Sequence, residues 1–338
     1  MPTGYQTIFA APNQVILEPQ EWGSPGPGQA LIRTECTLIS TGTELTALTA
    51  DFPPVSSWAN WIQFPTGIGY SNVARVVEVG EGVEHVKVGD RVANTGNHAT
   101  YRLFPANHLW PVPARVDAEA ASFSTLAEIV LGGVRLSRLI FGEAVVIIGA
   151  GLIGQLAARF CRIAGAWPIL VVDPAEQRLA FLRETGFVQT LPMWGDQVRP
   201  EVERLTKGRM ADVVFDVTGN PIAMQGALRL ARRKGRVVVL GSPRGPVSID
   251  FHEEVHTQGL EIIGAHNSMH PSVETPHAPW TMARDVELFL EWQDAGVVDV
   301  RPLITHRYSW REVAEAYRML TEDRTRALGV ILDWSAEP

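Results

Sequence analysis

Residues 145–154 read VVIIGAGLIG, an apolar run that ends in Gly149-x-Gly151-x-x-Gly154. Alone, three glycines at this spacing are a weak signal, so their surroundings decide. An apolar strand precedes them and the amphipathic segment LIGQLAARFCRIAG follows. A second strand, PILVVD, then closes on Asp173, 19 residues past Gly154. Each part has a physical task. The first glycine permits a tight turn, the second lets backbone approach a pyrophosphate, and the third lets helix and strand pack closely. Leu152 and Ile153 open the helix, whose N-terminal N–H groups and partial positive charge suit phosphate. Asp173 is placed to accept hydrogen bonds from the adenosine ribose hydroxyls and to repel a 2′-phosphate, so the stretch reads as an NAD(H) site. Arg178 is the one nearby cation that would favour NADP(H). FAD uses a similar fingerprint, but usually at a chain's N-terminus rather than after 140 residues of other structure.

Working outward, strand-like and helix-like segments keep alternating: AEQRLAFLRETG, ADVVFDVTG, NPIAMQGALRLARRKG, RVVVLGS and LEIIGA. This alternation predicts a doubly wound parallel sheet with apolar strands covered on both faces. Thr218 and Gly241 fall at strand ends on the cofactor side of such a sheet. The first 120 or so residues differ. QALIRTECTLIS, VARVVEVG and DRVANT are short β-branched runs separated by turn formers, which predicts a barrel or sandwich. A long apolar helix is expected over 122–141. After a Pro/His-rich loop, SMHPSVETPHAPW, two helices and the strand ALGVILDW close the chain.

The composition narrows the function. Of 338 residues, 29 are basic and 37 acidic, giving a net charge of −8, which disfavours a general nucleic-acid binder. No signal-peptide pattern and no apolar run of membrane-spanning length occurs, so a cytoplasmic protein is expected. Two cysteines, Cys36 and Cys161, lack CxxC spacing and read as ordinary thiols.

Several segments in order, VVEVGEGVEHVKVGDRV (76–92), the glycine-rich turn with Asp173, ADVVFDVTGN (211–220), GRVVVLG (235–241) and PLITHRYSWREVAEAYRML (302–320), resemble the medium-chain dehydrogenase/reductase superfamily of the zinc alcohol dehydrogenases. The resemblance covers nearly the whole chain. It implies an α/β protein with a GroES-like β-barrel catalytic domain (1–122 and 268–338) interrupted by a Rossmann domain (123–267), with the active site in the cleft between them. It also implies self-association as a homodimer or homotetramer, with a Rossmann edge near VSIDF or LEIIGA.

The family's zinc ligands align with Thr41, Tyr70 and a position near Thr125. None of these is a good zinc donor, and the four-cysteine structural loop is missing, so no metal is expected. Thr43 aligns with the family's proton-relay hydroxyl, and Tyr70 is a candidate to polarise the substrate oxygen in zinc's place. His98, with a pKa near neutrality, and Glu128 are further acid–base candidates. Asn94, His266, Asn267 and Trp280 fall where relatives line their substrate, and Trp58 and Trp61 are aromatic surfaces for a ring. Three histidines at 266, 270 and 277 match no ligand spacing. Glu44 reads as a structural brace.

The ISTGTE turn (39–44) resembles a subgroup holding sorbitol-, threonine- and bacteriochlorophyllide-dehydrogenase-like enzymes. The expected function is therefore a zinc-independent, NAD(H)-dependent dehydrogenase of a secondary alcohol, on a small polyhydroxylated substrate such as a sugar or cyclitol. The alternatives are a metal-free quinone or enone reductase, which Asp173 disfavours, and a non-catalytic NAD(H)-binding relative.

Overall fold

A computed structural model describes residues 1–336. Sixteen strands follow in chain order: β1 (Thr3–Ala11), β2 (Gln14–Glu21), β3 (Gln29–Leu38), β4 (Thr66–Gly67), β5 (Asn72–Val79), β6 (Arg91–Asn94), β7 (Tyr101–Pro105), β8 (Trp110–Pro111), β9 (Val145–Ile148), β10 (Ile169–Val172), β11 (Val188–Leu191), β12 (Ala211–Asp216), β13 (Ala231–Val239), β14 (Glu261–Gly264), β15 (Ile304–Ser309) and β16 (Gly329–Asp333). They belong to two compact units, one of Met1–Leu126 with Met282–Pro338 and one of Ala127–Thr281.

In the first unit a sheet runs β15-β16-β3-β5-β6-β8, with β7 also on β3, beside a small sheet β2-β1-β4. β3 is the spine. Its alternation buries Ala30 and Ile32 with Ala74, Val76 and Val92 in one apolar cluster. The C-terminal return is integral to this unit, because β16 pairs antiparallel with β3 and Trp334 donates its backbone N–H to the Glu35 carbonyl at 2.9 Å. The Trp334 ring is fully buried, stacks on Trp310 at 5.6 Å and donates its indole N–H to Thr37 Oγ1 at 3.0 Å.

The second unit holds six parallel strands in the order β11-β10-β9-β12-β13-β14. The expected parallel sheet is present, and its strands β9 and β10 are apolar and buried throughout, as strands of a sheet covered on both faces are. Among the described residues β14 is an edge, with no neighbour beyond it in this sheet. Two local readings need correction, and two elements were not read at all. The helix expected over NPIAMQGALRLARRKG ends at Leu228, and β13 begins already at Ala231, where Ala231 pairs Ala211 and Arg232 is bonded to Asp212. ISTGTE is no simple turn, for Thr41 opens the helix Thr41–Thr49. β11 and the helix Val198–Leu205 carry too few apolar residues to stand out in the sequence.

The segment 268–281 clusters with the second unit because its side chains pack there. His270 sits by Glu128, and Trp280 lies under the Arg135 guanidinium at 3.3 Å. No helix among the described residues is long and apolar enough to cross a membrane.

Replacing Trp334 with Ala removes a stacked, hydrogen-bonded core indole and should cost about 3–5 kcal/mol. Urea unfolding of the variant should show this as a lower midpoint. A loss below about 1 kcal/mol would mean that the C-terminal return is dispensable to the first unit.

Candidate functional site

In the first unit the site is built on the end of β3. The chain leaves the sheet at Ile39, and Ser40 takes the N-cap position of the helix Thr41–Thr49. Serine there normally accepts a hydrogen bond from a first-turn N–H. Ser40 makes no such bond; its hydroxyl instead accepts from the Tyr70 phenol. Thr41 and Thr43 lie half-buried in that first turn, and Gly42 between them is exposed.

Tyr70 follows Gly69, whose φ of +99° and missing side chain let the turn lie on the His98 ring, which an added Cβ would meet at 2.7 Å. The Tyr70 carbonyl accepts from Thr125 Oγ1 at 2.8 Å. Tyr70 and Thr125 therefore meet, as the alignment with one ligand set implies.

Beneath this lies a fully buried polar cluster. Glu44 Oε1 accepts the Ser40 N–H at 2.8 Å, while Oε2 accepts the Tyr317 hydroxyl and lies 3.0 Å from His98 Nε2. His98 Nδ1 is 2.7 Å from Thr37 Oγ1, which also takes the Trp334 indole N–H. Burial, then the neighbouring Glu44 carboxylate, raise the Tyr317 phenol well above its ordinary value, so it stays a donor.

Two sequence expectations change here. His98 is fully buried with both ring nitrogens engaged, so it is a structural link rather than a group presented to substrate. Asn94 is buried too, its amide spent on Asn72 Oδ1 at 3.2 Å and on the Gly96 N–H at 2.8 Å. Glu44, read as a brace, sits at the centre of the cluster. Trp58 stacks on Phe52 at 6.0 Å, and Trp61 beside it is more than half exposed.

A zinc ion does not fit this donor set. The aligned positions offer the hydroxyls of Thr41, Tyr70 and Thr125, and the last two are already bonded within the protein. Among the described residues no three His, Cys, Asp or Glu side chains are grouped to hold a metal ion.

The second unit carries a dinucleotide cradle at the carboxyl ends of its strands. Gly149 turns with φ +108°, and the helix Leu152–Ile163 starts from Gly151 without a side-chain cap. Gly154 is forced by packing, since a Cβ there would lie 1.9 Å from the Gly149 carbonyl oxygen. At Gly151 an added Cβ would meet nothing within 4 Å, leaving open space beside the uncapped N-terminus. Leu152 is buried and Ile153 half-buried.

Asp173 follows β10 and splits its carboxylate between two N–H groups, Ala150 and Ala175, each at 2.7 Å. Each oxygen keeps a lone pair for a ribose hydroxyl. Arg178 lends its carbonyl to Gln155 Nε2 at 2.9 Å, and Gln155 also holds the Ala150 carbonyl at 3.0 Å. Thr218 is tied through N–H and hydroxyl to Asp216 at the end of β12. Burial pushes the Asp216 carboxyl above the usual carboxylate range. Gly241 follows β13, its N–H on the Asp216 carbonyl at 2.8 Å.

The remaining candidates spread along this unit. Glu128 is fully buried, its Oε2 3.5 Å from Nδ1 of His270, which in turn lies 2.8 Å from the Asn267 carbonyl. His266 is exposed and caps a short turn through Ser268, and Trp280 is engaged by Arg135. Cys36 and Cys161 are buried free thiols, pushed up chiefly by desolvation.

Sequence reasoning missed Ser40, Gln155, Asp216 and His270 as partners. Gln155 and Asp216 left a signal, each being a polar residue inside an apolar run. Ser40 and His270 left none, because their partners are distant in sequence.

With this geometry in place, comparison with known proteins is informative. Residues 26–114 match the alcohol dehydrogenase GroES-like domain and 153–279 the zinc-binding dehydrogenase family. An L-threonine 3-dehydrogenase of Pyrococcus furiosus is 29% identical over 338 residues, covering 89% of this chain and 90% of its own. Among solved structures, the 2R,3R-butanediol dehydrogenase of Bacillus subtilis has a TM-score of 0.81 at 20% identity, covering 98% of this chain and 99% of its own. An Escherichia coli alcohol dehydrogenase complexed with NADH has a TM-score of 0.80 at 19% identity, covering 98% and 99%. The chain belongs to the medium-chain alcohol dehydrogenase superfamily. It is an oxidoreductase acting on CH–OH groups, with a GroES-like domain and a six-stranded Rossmann sheet.

Because the folded-state pKa of Tyr317 is raised, its stabilising contribution is complete below the unfolded phenol value of about 10 and is lost as pH rises beyond it. Denaturant midpoints measured between neutrality and strong alkali should fall above that point in the native protein. Tyr317→Phe should be less stable at neutral pH and should flatten this alkaline fall; an unchanged slope would show that Tyr317 does not carry it.

Proposed function

We propose that this protein is a zinc-independent, NAD(H)-dependent dehydrogenase that interconverts a secondary alcohol and a ketone on a small polyhydroxylated substrate, such as a sugar or cyclitol. The observation that carries this reading is the Tyr70 phenol, held by Ser40 at the turn where the family presents metal ligands. When bound, the nicotinamide cofactor supplies the two-electron, hydride-accepting chemistry. The protein's part is to orient the alcohol and move its proton. Tyr70 suits both tasks, since a phenol donates to a carbonyl oxygen in reduction and receives the alcohol proton in oxidation.

Gly149, Gly151, Gly154 and Asp173 would hold the cofactor, and Asp173 supports NAD(H) over NADP(H) through repulsion of a 2′-phosphate. Thr43 and the half-exposed Trp61 favour a substrate with several hydroxyls and a ring to stack. The named relatives point the same way, for threonine and butanediol each carry a secondary alcohol beside a second polar carbon. Self-association is assigned to the unpaired edge at β14, which offers a row of backbone groups to a second copy of the chain.

Titration followed by nicotinamide fluorescence should show NADH binding at least about tenfold tighter than NADPH, and Asp173→Ala should erase the difference. Tighter NADPH binding by the native protein would overturn the cofactor assignment. With a panel of sugars, cyclitols and diols, Tyr70→Phe should lower turnover about 10²-fold or more, while chelators leave the native rate unchanged. Stoichiometric zinc in the purified protein, lost together with activity, would reverse the metal-free reading.

A further inference from the structure

We propose that the first unit carries a binding site for a small organic phosphate, built on Arg33, Arg75 and Arg91. None of the three is among the residues assigned to the alcohol or the cofactor. The site follows from strand register. Arg33 of β3 lies directly opposite Arg75 of β5, and Arg75 lies directly opposite Arg91 of β6. Their chain neighbours Ile32, Ala74, Val76 and Val92 all belong to one buried apolar cluster. Side chains alternate along a strand, so the arginines share the opposite face. Like charges set opposite one another across strands repel, and here three guanidinium groups stand in one row.

One carboxylate lies among them. Glu35 Oε1 accepts from Arg75 Nε and Oε2 from Arg91 Nε, each at 2.6 Å, and Arg75 Nη1 donates to the Gly89 carbonyl at 3.0 Å. Both Glu35 oxygens are thereby engaged. Arg33 is half-buried and has no hydrogen bond or ion pair among the described residues. Asp333 accepts the Ser335 N–H, and Lys87 pairs with Asp90 beside Gly89, so positive charge stays in excess along the row.

A groove of about 460 Å³ opens at this face, with Arg33, Arg75, Val77, Val88 and Ser335 in its walls. That volume suits a small molecule. Val77 and Val88 are 37% and 59% exposed, which leaves apolar surface for a ligand to cover. Guanidinium groups match the oxygens of phosphate in a two-point grip and keep their charge at every physiological pH. A phosphate monoester with a compact apolar body answers both features, its dianionic head the arginines and its body the valines.

The test is calorimetric titration of the full chain at low salt, where charge pairing is least screened. Phenyl phosphate is the probe, with inorganic phosphate and phenol as its two halves. Phenyl phosphate should bind at one site per chain and inorganic phosphate about threefold or more weaker, with phenol giving no signal. Arg33→Gln should weaken phenyl phosphate about tenfold or more, through loss of charge-assisted hydrogen bonds. The same site should persist when NADH is present. Equal binding by the native protein and Arg33→Gln would overturn the proposal, and so would a site that NADH abolishes, which would be the glycine-rich turn. Tighter, Arg33-dependent binding of a polyglutamate peptide or an oligonucleotide would assign the row to a macromolecule and overturn the small-ligand reading.

A second readout separates binding from structure. Arg33 has no bond to lose, so Arg33→Gln should keep the native urea midpoint in phosphate-free buffer and the native turnover. Added phenyl phosphate should raise the midpoint of the native protein and leave that of Arg33→Gln where it was. A midpoint already lowered in Arg33→Gln before ligand is added would make this arginine a structural cation and count against the site.

Discussion

The carboxylate of Glu44 is the constraint on which the catalytic unit depends. It sits where water cannot reach it, and a buried carboxylate persists only when donors surround it. Three do so: the Ser40 N–H, the Tyr317 hydroxyl and the His98 imidazole. These donors come from the end of β3, the helix Val313–Asp323 and the stretch before β7. One side chain thus ties together pieces separated by up to 273 residues in sequence. Removing it would leave several buried donors without an acceptor, a larger loss than any one of the bonds. The first turn that presents Thr41 and Thr43 is rigid because its entry is fixed at Glu44.

The second unit repeats the device with different residues. Asp173 bonds the Ala150 N–H within the glycine-rich turn, and Asp216 bonds Thr218 at the end of the neighbouring strand. Asp173 thereby orders the turn after the adjacent β9 as well as the loop after its own strand, and Asp216 orders the loop that follows it. Ordering matters because a loop held before its ligand arrives spends less binding free energy on fixing itself. Gln155 adds a further tie, spanning the Ala150 and Arg178 carbonyls. The glycines make room for the pyrophosphate, and these polar side chains keep that room in shape.

This division explains what the sequence reveals. The parallel sheet was legible because strand–helix alternation and the glycine spacing are local patterns with period and order. Asp173 was legible because its role is fixed by distance from Gly154. His98 and Asn94 were misread as substrate-facing for the opposite reason. A histidine or asparagine after a strand looks the same whether it points to solvent or into a core, and Thr37, Glu44 and Asn72 decide the matter from other strands. Ser40 was invisible in the same way, since its ordinary role at a helix start conceals its bond to Tyr70, thirty residues away. The helix misplaced over residues 229–235 shows a further limit. A run rich in Leu, Ala, Arg and Lys has helical propensity, yet pairing of Ala231 with Ala211 draws it into the sheet.

A metal and a hydroxyl do different work at a carbonyl oxygen. A metal ion brings its charge with it and tolerates some movement, because Coulomb attraction falls off gently with distance. A hydroxyl offers a directed dipole, whose worth collapses when the angle or distance slips. On the proposed reading, loss of the metal ligands therefore has to be matched by added stiffness around Tyr70. The buried assembly of Glu44, His98, Thr37, Tyr317 and Trp334 has that character, being dry, hydrogen-bonded and packed against the aromatic core of its unit. A site of this kind acts through preorganised dipoles instead of a bound charge. It should also be the more selective of the two, because a substrate oxygen must arrive along the one direction the phenol accepts.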